Sequence, residues 1–455
     1  MPSLITDDLP SPVMKDRIIK FTNCRLVLDD RLVEQDLWVS ASTGKIVRSQ
    51  EAFYDHHTVP DSVIDLDGRL IAPGFIDVQL NGAFGFDFSV LPVDGDMSKY
   101  ATGLAQVSKG LVRSGVTSYL PTLTSQRSDV YRKALPLLGP SGHSRLPEDG
   151  SESLGAHCEG PFLSPTKNGI HNADVLLSSP RGFEDFEDCY GEENLRSASK
   201  TLGASQTRPA AVKMITAAPE MGQIVSAIPE MASRDIIFSI GHSECTYEDA
   251  AAAVRLGATM VTHLFNAMRP LHHRNPGIFG VLGTPESVPR PYFGVIADGI
   301  HLHPASVKIA FNAHPDGFIL VTDAMRLAGL PDGVYDWTNG ARIVKSGALL
   351  TLEGSDKIAG SSISLVDCVS NFLNWSGASI PEGIRAVTST PAKMLGVSSS
   401  KGTLNADADA DLVILSEGTD DSGGLKLFVD QVWKFGAKAF DRDVQSSAEI
   451  PSLSY

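Results

Sequence analysis

The chain has 455 residues, of which 42% are hydrophobic, and a formal net charge of −16. This length exceeds one average domain and predicts a large folded unit with a smaller companion. The acidic balance argues against non-specific binding to nucleic acid, which needs a basic surface. It leaves a small anionic substrate open, because local cations and backbone amides can override the overall field.

The cysteines and the amino-terminal residues indicate in which cellular compartment the protein is expected. The five cysteines are an odd number without CxxC spacing, a pattern typical of a reduced, intracellular protein. Residues 1–16 contain acids and prolines and no apolar core, so they predict a flexible tail rather than a secretory signal. No run reaches the roughly 18 apolar residues that a membrane span needs. We therefore expect a cytoplasmic protein without membrane association.

Both ends of the chain predict β-structure. Residues 17–70 alternate short strand-like runs with turn signals, and residues 396–455 return to the same pattern. Neither segment has enough strands to be stable alone. We expect the two segments to pair into one small β-sandwich domain.

The middle of the chain, residues 71–395, alternates strand-like with helix-like segments. Helix-like stretches such as 97–114 and 247–256 separate the candidate strands, which predicts an α/β fold with a closed (β/α)₈ TIM-type barrel. Residues 172–206 are rich in Ser, Gly and acids and predict a surface excursion. The candidate strands are 71–79, 116–120, 153–158, 212–216, 236–240, 260–262, 292–296 and 318–322.

Four ionisable residues stand at the carboxyl ends of these runs: Glu159, His242, His263 and Asp323. Taken singly, a strand-end His is more often structural and a strand-end Asp is often only a helix cap. In a barrel of parallel strands, however, all carboxyl ends form one surface. One Glu with two His suits a catalytic divalent metal such as zinc, with an open position for water. Asp323 is then placed to be the proton-transfer base.

Six motifs follow one another along the chain, from Pro73-Gly74-Phe75 in the first to Thr322-Asp323-Ala324 in the last. Together and in this order, they resemble the N-acetylglucosamine-6-phosphate deacetylase family of the amidohydrolase superfamily. The resemblance covers roughly residues 18–440 and implies a (β/α)₈ barrel with a small β domain built from both chain ends. The implied reaction converts N-acetyl-D-glucosamine 6-phosphate to D-glucosamine 6-phosphate and acetate in amino-sugar catabolism. The motifs lie at 73–82, 157–162, 241–243, 262–268, 298–301 and 322–324.

One departure from the wider superfamily concerns the number of metal ions. Many amidohydrolases carry His-x-His at the end of the first barrel strand, where this chain has Gln79-Leu80-Asn81. Neutral amides are poor metal ligands beside imidazole. We therefore expect one divalent ion per chain, held by Glu159, His242 and His263. Zinc is favoured, and Fe²⁺, Co²⁺ or Mn²⁺ would also suit.

The resemblance also assigns roles at the substrate. His171 would donate a hydrogen bond to the acetyl carbonyl, and Arg274 would bind phosphate as a planar fork. From the residues alone, an ordinary loop His, a solvated loop cation at Arg274 and a helix cap at Asn266 stay open. A phosphate-binding side chain can reach a neighbouring subunit in this family, which implies a homodimer. The expected substrate-binding residues are Gln79, Asn81, Ile170, His171, Asn266, Ala267, Arg274, Asp298, His301, Ile358, Ala359 and Gly360.

Two other functions compete with this hypothesis. One is an amidohydrolase that acts on another N-acyl sugar or on a cyclic amide, against which the Gln79-Leu80-Asn81 sequence and Arg274 argue. The other is a catalytically silent protein that binds a sugar phosphate. A mere binder needs neither metal ligands nor a base, so Glu159 and Asp323 speak against it.

Overall fold

A computed structural model of the chain describes residues 17–55, 57–197, 209–285, 288–337 and 341–445. Within these ranges a parallel sheet follows chain order and closes on itself. At the closure, the backbone N–H of Asp323 donates to the Gln79 carbonyl and that of Asn81 to the Ala324 carbonyl, both at 2.9 Å. The predicted (β/α)₈ barrel is confirmed. Its strands are Phe75–Leu80, Val116–Leu123, Ala156–Glu159, Val212–Ala217, Ile237–Ile240, Ala258–Val261, Tyr292–Ile296 and Phe318–Val321.

The barrel strands are apolar and almost wholly buried, because both faces of a parallel sheet are covered. Residues such as Met214, Met260 and Ile319 form the apolar part of the interior. Two residues further along two of these strands, Thr216 and Thr262 are hydrogen-bonded to each other at 2.6 Å. The interior thus changes from apolar to polar towards the carboxyl ends of the strands.

Helices cover the outside of the barrel. The helix that begins at Tyr247 starts with a capping box, in which Thr246 and Asp249 each accept a hydrogen bond from the other's backbone N–H. The predicted helix at 97–114 is observed as Met97–Leu111 followed by a 3₁₀ turn. None of the helices in the described ranges is both long and apolar enough to cross a membrane. The helices are Met97–Leu111, Ser128–Leu138, Phe183–Tyr190, Ile224–Ser233, Tyr247–Arg255, Pro304–Ala313, Leu365–Ser376, Ile380–Arg385, Ser389–Leu395 and Arg442–Gln445.

Both chain ends build one small β domain, as predicted. Two sheets pack over a common core, in which the rings of Phe21 and Trp433 meet edge to face at 5.0 Å. Leu70–Pro73 pairs within this domain, so the first β segment extends past residue 70. The predicted tail at 1–16 lies outside the described residues. One sheet contains Ile18–Thr22, Leu37–Ser40, Lys45–Val47 and Ser62–Asp65, and the other Arg25–Val27, Leu32–Glu34, Leu70–Pro73, Leu412–Thr419, Leu425–Lys434 and Ala437–Asp441.

A small antiparallel sheet follows the eighth barrel strand and has no counterpart among the predicted elements. Its last strand brings Ile358 and Gly360 to the carboxyl end of the barrel, where Ala324 bridges to Ser361. Met325 packs with the core of this sheet. The strands are Gly333–Asp336, Arg342–Ser346, Leu349–Leu352 and Ile358–Ser361.

The predicted surface excursion at 172–206 is exposed over most of residues 172–181, but the prediction is wrong for the helix that follows. Helix Phe183–Tyr190 buries Phe186 and Tyr190 completely, and the Phe186 ring lies 4.2 Å from that of Phe162. The acids that suggested a surface segment lie on the same helix as these buried aromatic residues. The excursion is therefore partly core, although residues 198–206 lie outside the described ranges.

A buried ion network joins the β domain to the barrel. The ammonium of Lys434, which is 0% exposed, lies 2.6 Å from the Glu152 carboxylate and 2.7 Å from that of Asp411. Lys401 contacts the same two carboxylates and lies 2.8 Å from Asp409. Three converging carboxylates could bind a metal ion, but two ammonium groups already neutralise these. The cluster is therefore an ion network and not a second metal site.

Lys434→Met is expected to lower the free energy of unfolding by about 3–5 kcal/mol, because it leaves the buried carboxylates of Glu152 and Asp411 with only one of their two ammonium partners, that of Lys401. Lys438→Met on the neighbouring strand is the control, since Lys438 is 41% exposed and, among the described residues, forms an ion pair only with Asp441. An exposed pair contributes about 1 kcal/mol or less. Urea unfolding of both variants measures the difference, and equal effects would contradict the role of the network.

Candidate active site

Three donor atoms converge where the third, fifth and sixth barrel strands end. The Nε2 atom of His242 lies 3.0 Å from Oε1 of Glu159, and that of His263 lies 3.1 Å from the same oxygen. The two imidazole nitrogens are 3.0 Å apart. All three side chains are buried, so the structure brings the predicted ligands together.

The hydrogen bonds of His242 show that this cluster suits a cation. Its Nδ1 lies 2.7 Å from the Lys167 carbonyl, which can only accept, so Nδ1 carries the proton. In a neutral His242, the Nε2 lone pair then faces the Glu159 carboxylate, an arrangement that is repulsive unless a cation lies between them. Ligands of a tetrahedral zinc ion, at roughly 2.1 Å from it, lie roughly 3.4 Å apart. The donor set and its spacing fit such an ion.

The backbone at this end of the barrel is strained. Positive φ angles occur at several candidate site residues, among them His242 at 50°, His263 at 26° and Asp323 at 46°. Such conformations cost residues other than glycine about 1–3 kcal/mol each and persist where the surrounding structure enforces them. Each of these three residues lies just past the end of a barrel strand. Each also lines a cavity at this end of the barrel.

Asp323 lies beside the proposed ligands and is held by two amides. Its Oδ1 accepts hydrogen bonds from Asn81 Nδ2 at 2.7 Å and from Gln79 Nε2 at 3.2 Å. The same Gln79 nitrogen lies 3.2 Å from both carboxylate oxygens of Glu159. Burial and then the charge of Glu159 raise the pKa of Asp323 to about 6. A carboxyl group with this pKa can exchange a proton near neutral pH.

His171 is held as a neutral donor. The backbone N–H of Ser125 donates to His171 Nδ1 at 3.0 Å, so the ring proton is on Nε2. Burial and then the neighbouring His242 lower the pKa of His171 to about 3. The two imidazole rings meet edge to face at 4.6 Å. His171 thus offers an N–H beside the metal cluster without carrying charge.

A cavity of about 280 Å³ opens above these residues. It brings together all the predicted site residues except Gln79, Arg274, Asp298 and Ala359. Thr124 and Met325 also line it, and sequence reasoning missed both. Met325 could have been found because it follows Asp323 by two residues, whereas Thr124 carries no such signal. The lining residues are Asn81, Thr124, Glu159, Gly169, Ile170, His171, His242, His263, Asn266, Ala267, Ile296, Ile300, His301, Asp323, Met325, Ile358 and Gly360.

Two polar side chains in the cavity wall, those of His301 and Asn266, are positioned to bind a ligand. Asp298 accepts backbone N–H bonds from Ile300 and His301 at 2.8 and 2.9 Å, and its other oxygen lies 2.6 Å from His301 Nδ1. Burial would raise the pKa of Asp298, but its bonds to His301 outweigh burial and lower it. Asp298 therefore orients His301. The Asn266 amide nitrogen is buried and has no hydrogen-bond partner among the described residues.

Arg274 lies apart from this cavity. It is exposed, on a loop between the sixth barrel strand and the 3₁₀ segment Gly277–Gly283. Its backbone N–H donates to His272 Nδ1 at 3.3 Å. The structure thus does not bring the Arg274 side chain into the lining of its own chain's cavity.

Fold and site together define a barrel hydrolase with a metal-binding cluster, and residues 70–442 match the model of the amidohydrolase family. The chain belongs to this family. It is 40% identical to the N-acetylglucosamine-6-phosphate deacetylase of Danio rerio, over 88% of this chain and 93% of that protein. The human protein of the same name is 39% identical, over 88% and 92%. A crystal structure of the Pasteurella multocida N-acetylglucosamine-6-phosphate deacetylase superposes with a TM-score of 0.73 at 25% identity, covering 92% of this chain and 99% of that one.

Proposed function

We propose that this chain is a metal-dependent deacetylase that hydrolyses N-acetyl-D-glucosamine 6-phosphate to D-glucosamine 6-phosphate and acetate. The observation that carries the proposal is the convergence of Glu159, His242 and His263 beside Asp323 in one cavity. The names of the relatives supply the substrate. The five described cysteines are free thiols, which suits amino-sugar catabolism in the reducing cytoplasm.

One divalent ion per chain, zinc by preference, is proposed on Glu159, His242 and His263. Gln79 supports a single ion, because its amide nitrogen faces Glu159 and Asp323 as a donor and is not available as a ligand. When bound, such an ion supplies Lewis-acid polarisation to the attacking water and the acetyl carbonyl.

The chain's own residues then move the protons. Asp323 Oδ1 already accepts the amides of Asn81 and Gln79, so we assign Oδ2 to take the proton from the attacking water. The same carboxyl group delivers that proton to the leaving nitrogen of the sugar. His171 donates from Nε2 to the acetyl oxygen as negative charge develops there. Gln79 and Asn81 donate hydrogen bonds to Asp323, the proposed base, so their role is to hold this carboxylate more directly than to contact the sugar.

The phosphate needs donors at the cavity mouth. Asn266, Ala267 and His301 lie in the cavity wall of the same chain, and Ile358 and Gly360 line the same cavity. Ile170, which is 56% exposed at the mouth, and Ala359 complete the proposed substrate contacts.

Arg274, being exposed, is proposed to serve the cavity of a second copy in a homodimer. Arg274→Ala is expected to raise KM for N-acetylglucosamine 6-phosphate about 10-fold or more, because hydrogen bonds to a charged group contribute about 1.5–3 kcal/mol. KM for unphosphorylated N-acetylglucosamine should change little. Steady-state acetate release measures both, with the exposed Arg255→Ala as control. Equal changes for the two sugars would contradict a phosphate role, and a monomer in sedimentation experiments would contradict its action across subunits.

The decisive assay follows acetate released from N-acetylglucosamine 6-phosphate by metal-stripped protein and by the same protein after zinc is restored. We expect turnover only with zinc, and far less with the unphosphorylated sugar. N-acetylgalactosamine 6-phosphate tests the orientation of the 4-hydroxyl group, and dihydrouracil tests cyclic amides. Ring opening of dihydrouracil without acetate release would favour the cyclic-amide alternative. Tight sugar-phosphate binding without turnover of any of these would favour a silent binder.

A further inference from the structure

The Gly160–Pro161 peptide, the second peptide after Glu159, is fixed by two buried tyrosines. The Gly160 carbonyl accepts hydrogen bonds from the hydroxyl groups of Tyr190 at 2.7 Å and Tyr131 at 2.9 Å. Both side chains are fully buried, and their rings meet edge to face at 4.9 Å. Two donors use both lone pairs of this carbonyl. The preceding peptide, between Glu159 and Gly160, is held by the neighbouring strand, because the Gly160 N–H donates to the Thr216 carbonyl at 3.0 Å.

The two hydroxyls are not equivalent. That of Tyr131 also lies 3.2 Å from the Thr124 carbonyl and accepts the Gln126 N–H at 3.2 Å. Among the described residues, the Tyr190 hydroxyl hydrogen-bonds only to the Gly160 carbonyl. Tyr190 therefore acts on the Gly160–Pro161 peptide alone, whereas Tyr131 is shared with the loop before helix Ser128–Leu138.

Tyr190 belongs to the segment after His171 that the sequence marks as an excursion. The same segment makes two further contacts with the turn after Glu159. The Leu177 N–H donates to the Pro161 carbonyl at 2.9 Å, and Phe186 packs on Phe162. Segment 172–197 thus touches three consecutive residues that follow Glu159.

We infer that Tyr190, together with Tyr131, is a positioning residue that holds the Glu159 carboxylate in line with His242 and His263. The inference rests on the proposed metal site. Gly160 joins the anchored Gly160–Pro161 peptide directly to Glu159, so a shift of that peptide would move the backbone of Glu159 and displace its carboxylate, while the histidines stay on their own strands. Segment 172–197 is accordingly a support of the metal site. If the tyrosines only packed in the core, removal of their hydroxyl groups would lower the stability of the fold and leave the metal affinity unchanged.

The test uses Tyr190→Phe, Tyr131→Phe and the double variant, which keep the rings and remove only the hydroxyls. Zinc affinity is measured by competition with a chromophoric chelator. We expect the zinc dissociation constant to rise about threefold in Tyr190→Phe and about tenfold or more in the double variant, in the range seen when groups behind metal ligands are removed. At saturating zinc, KM for the substrate should stay within about twofold of wild type, because the cavity wall is unchanged.

Tyr100→Phe is the matched control, because it also removes a buried hydroxyl that donates to a backbone carbonyl, that of Phe88 at 2.6 Å. A double variant whose zinc dissociation constant lies within about twofold of this control would overturn the inference. Failure of the metal site itself gives a different result: wild-type protein would then bind no zinc in the same competition, or Glu159→Gln would bind it as tightly as wild type.

Discussion

Asp323→Asn should lower kcat for acetate release by about 10⁴-fold, the upper end of what general acid–base catalysis contributes. The asparagine keeps the size of the side chain, but it cannot take a proton from water or deliver one to the leaving nitrogen. Zinc content should stay at one ion per chain, because the ligands Glu159, His242 and His263 are untouched. Turnover assays and metal analysis on one preparation measure both quantities.

The control for this variant is Asp316→Asn, since Asp316 is 81% exposed and lies in a turn before the eighth strand. It should leave kcat unchanged. If Asp323→Asn kept more than about a tenth of wild-type turnover, the proton-transfer role would be wrong. If it lost its zinc as well, Asp323 would have to be counted among the ligands.

The pH dependence of turnover reports on the same carboxyl group. Burial and Glu159 raise the pKa of Asp323 to about 6, and a bound cation nearby lowers it. Only the ionised form accepts a proton, so kcat/KM should fall as the pH drops through this pKa. We expect the acid limb of the profile at or below about pH 6. An acid limb centred above pH 7 would not belong to Asp323.

The barrel and the cluster of ionisable side chains at its carboxyl end could be predicted because they follow from the pattern of the strands. Glu159, His242 and His263 each end a buried run, and parallel strands bring their ends to one surface. The positive φ of His263 and the proton on His242 Nδ1 could not be predicted. Both depend on neighbours from other elements, and the partner of His242 is a backbone carbonyl, which no residue type signals.

Segment 172–197 shows why composition can mislead. Its acids and serines indicate solvent exposure, yet helix Phe183–Tyr190 turns its aromatic residues inward. Eight residues are too few for a strong periodic signal. The antiparallel sheet at 333–361 was missed for a related reason: its strands have only four or five residues each. The phosphate role of Arg274 is proposed from its motif, but a motif does not say which subunit's cavity a side chain serves.

Glu159→Gln should abolish zinc retention with little change in fold. The amide has nearly the shape of the carboxylate but no charge, and neutral amides are poor zinc ligands. Zinc sites bind with about 10–16 kcal/mol shared among four ligands, so the loss of one predicts an affinity at least about 10²-fold lower. Loss of turnover should follow the loss of zinc. Metal analysis after dialysis against a chelator, with circular dichroism as a check of the fold, measures the result.

Glu248→Gln provides the comparison, because Glu248 is exposed in the first turn of the helix that follows His242. It should keep one zinc ion per chain and normal turnover. A Glu159→Gln protein that retained a full zinc complement would remove Glu159 from the ligand set. The pair Glu159→Gln and Asp323→Asn then separates the two halves of the mechanism: the first should lose zinc and turnover together, and the second should lose turnover alone. Any other combination would require a different division of roles between these two carboxylates.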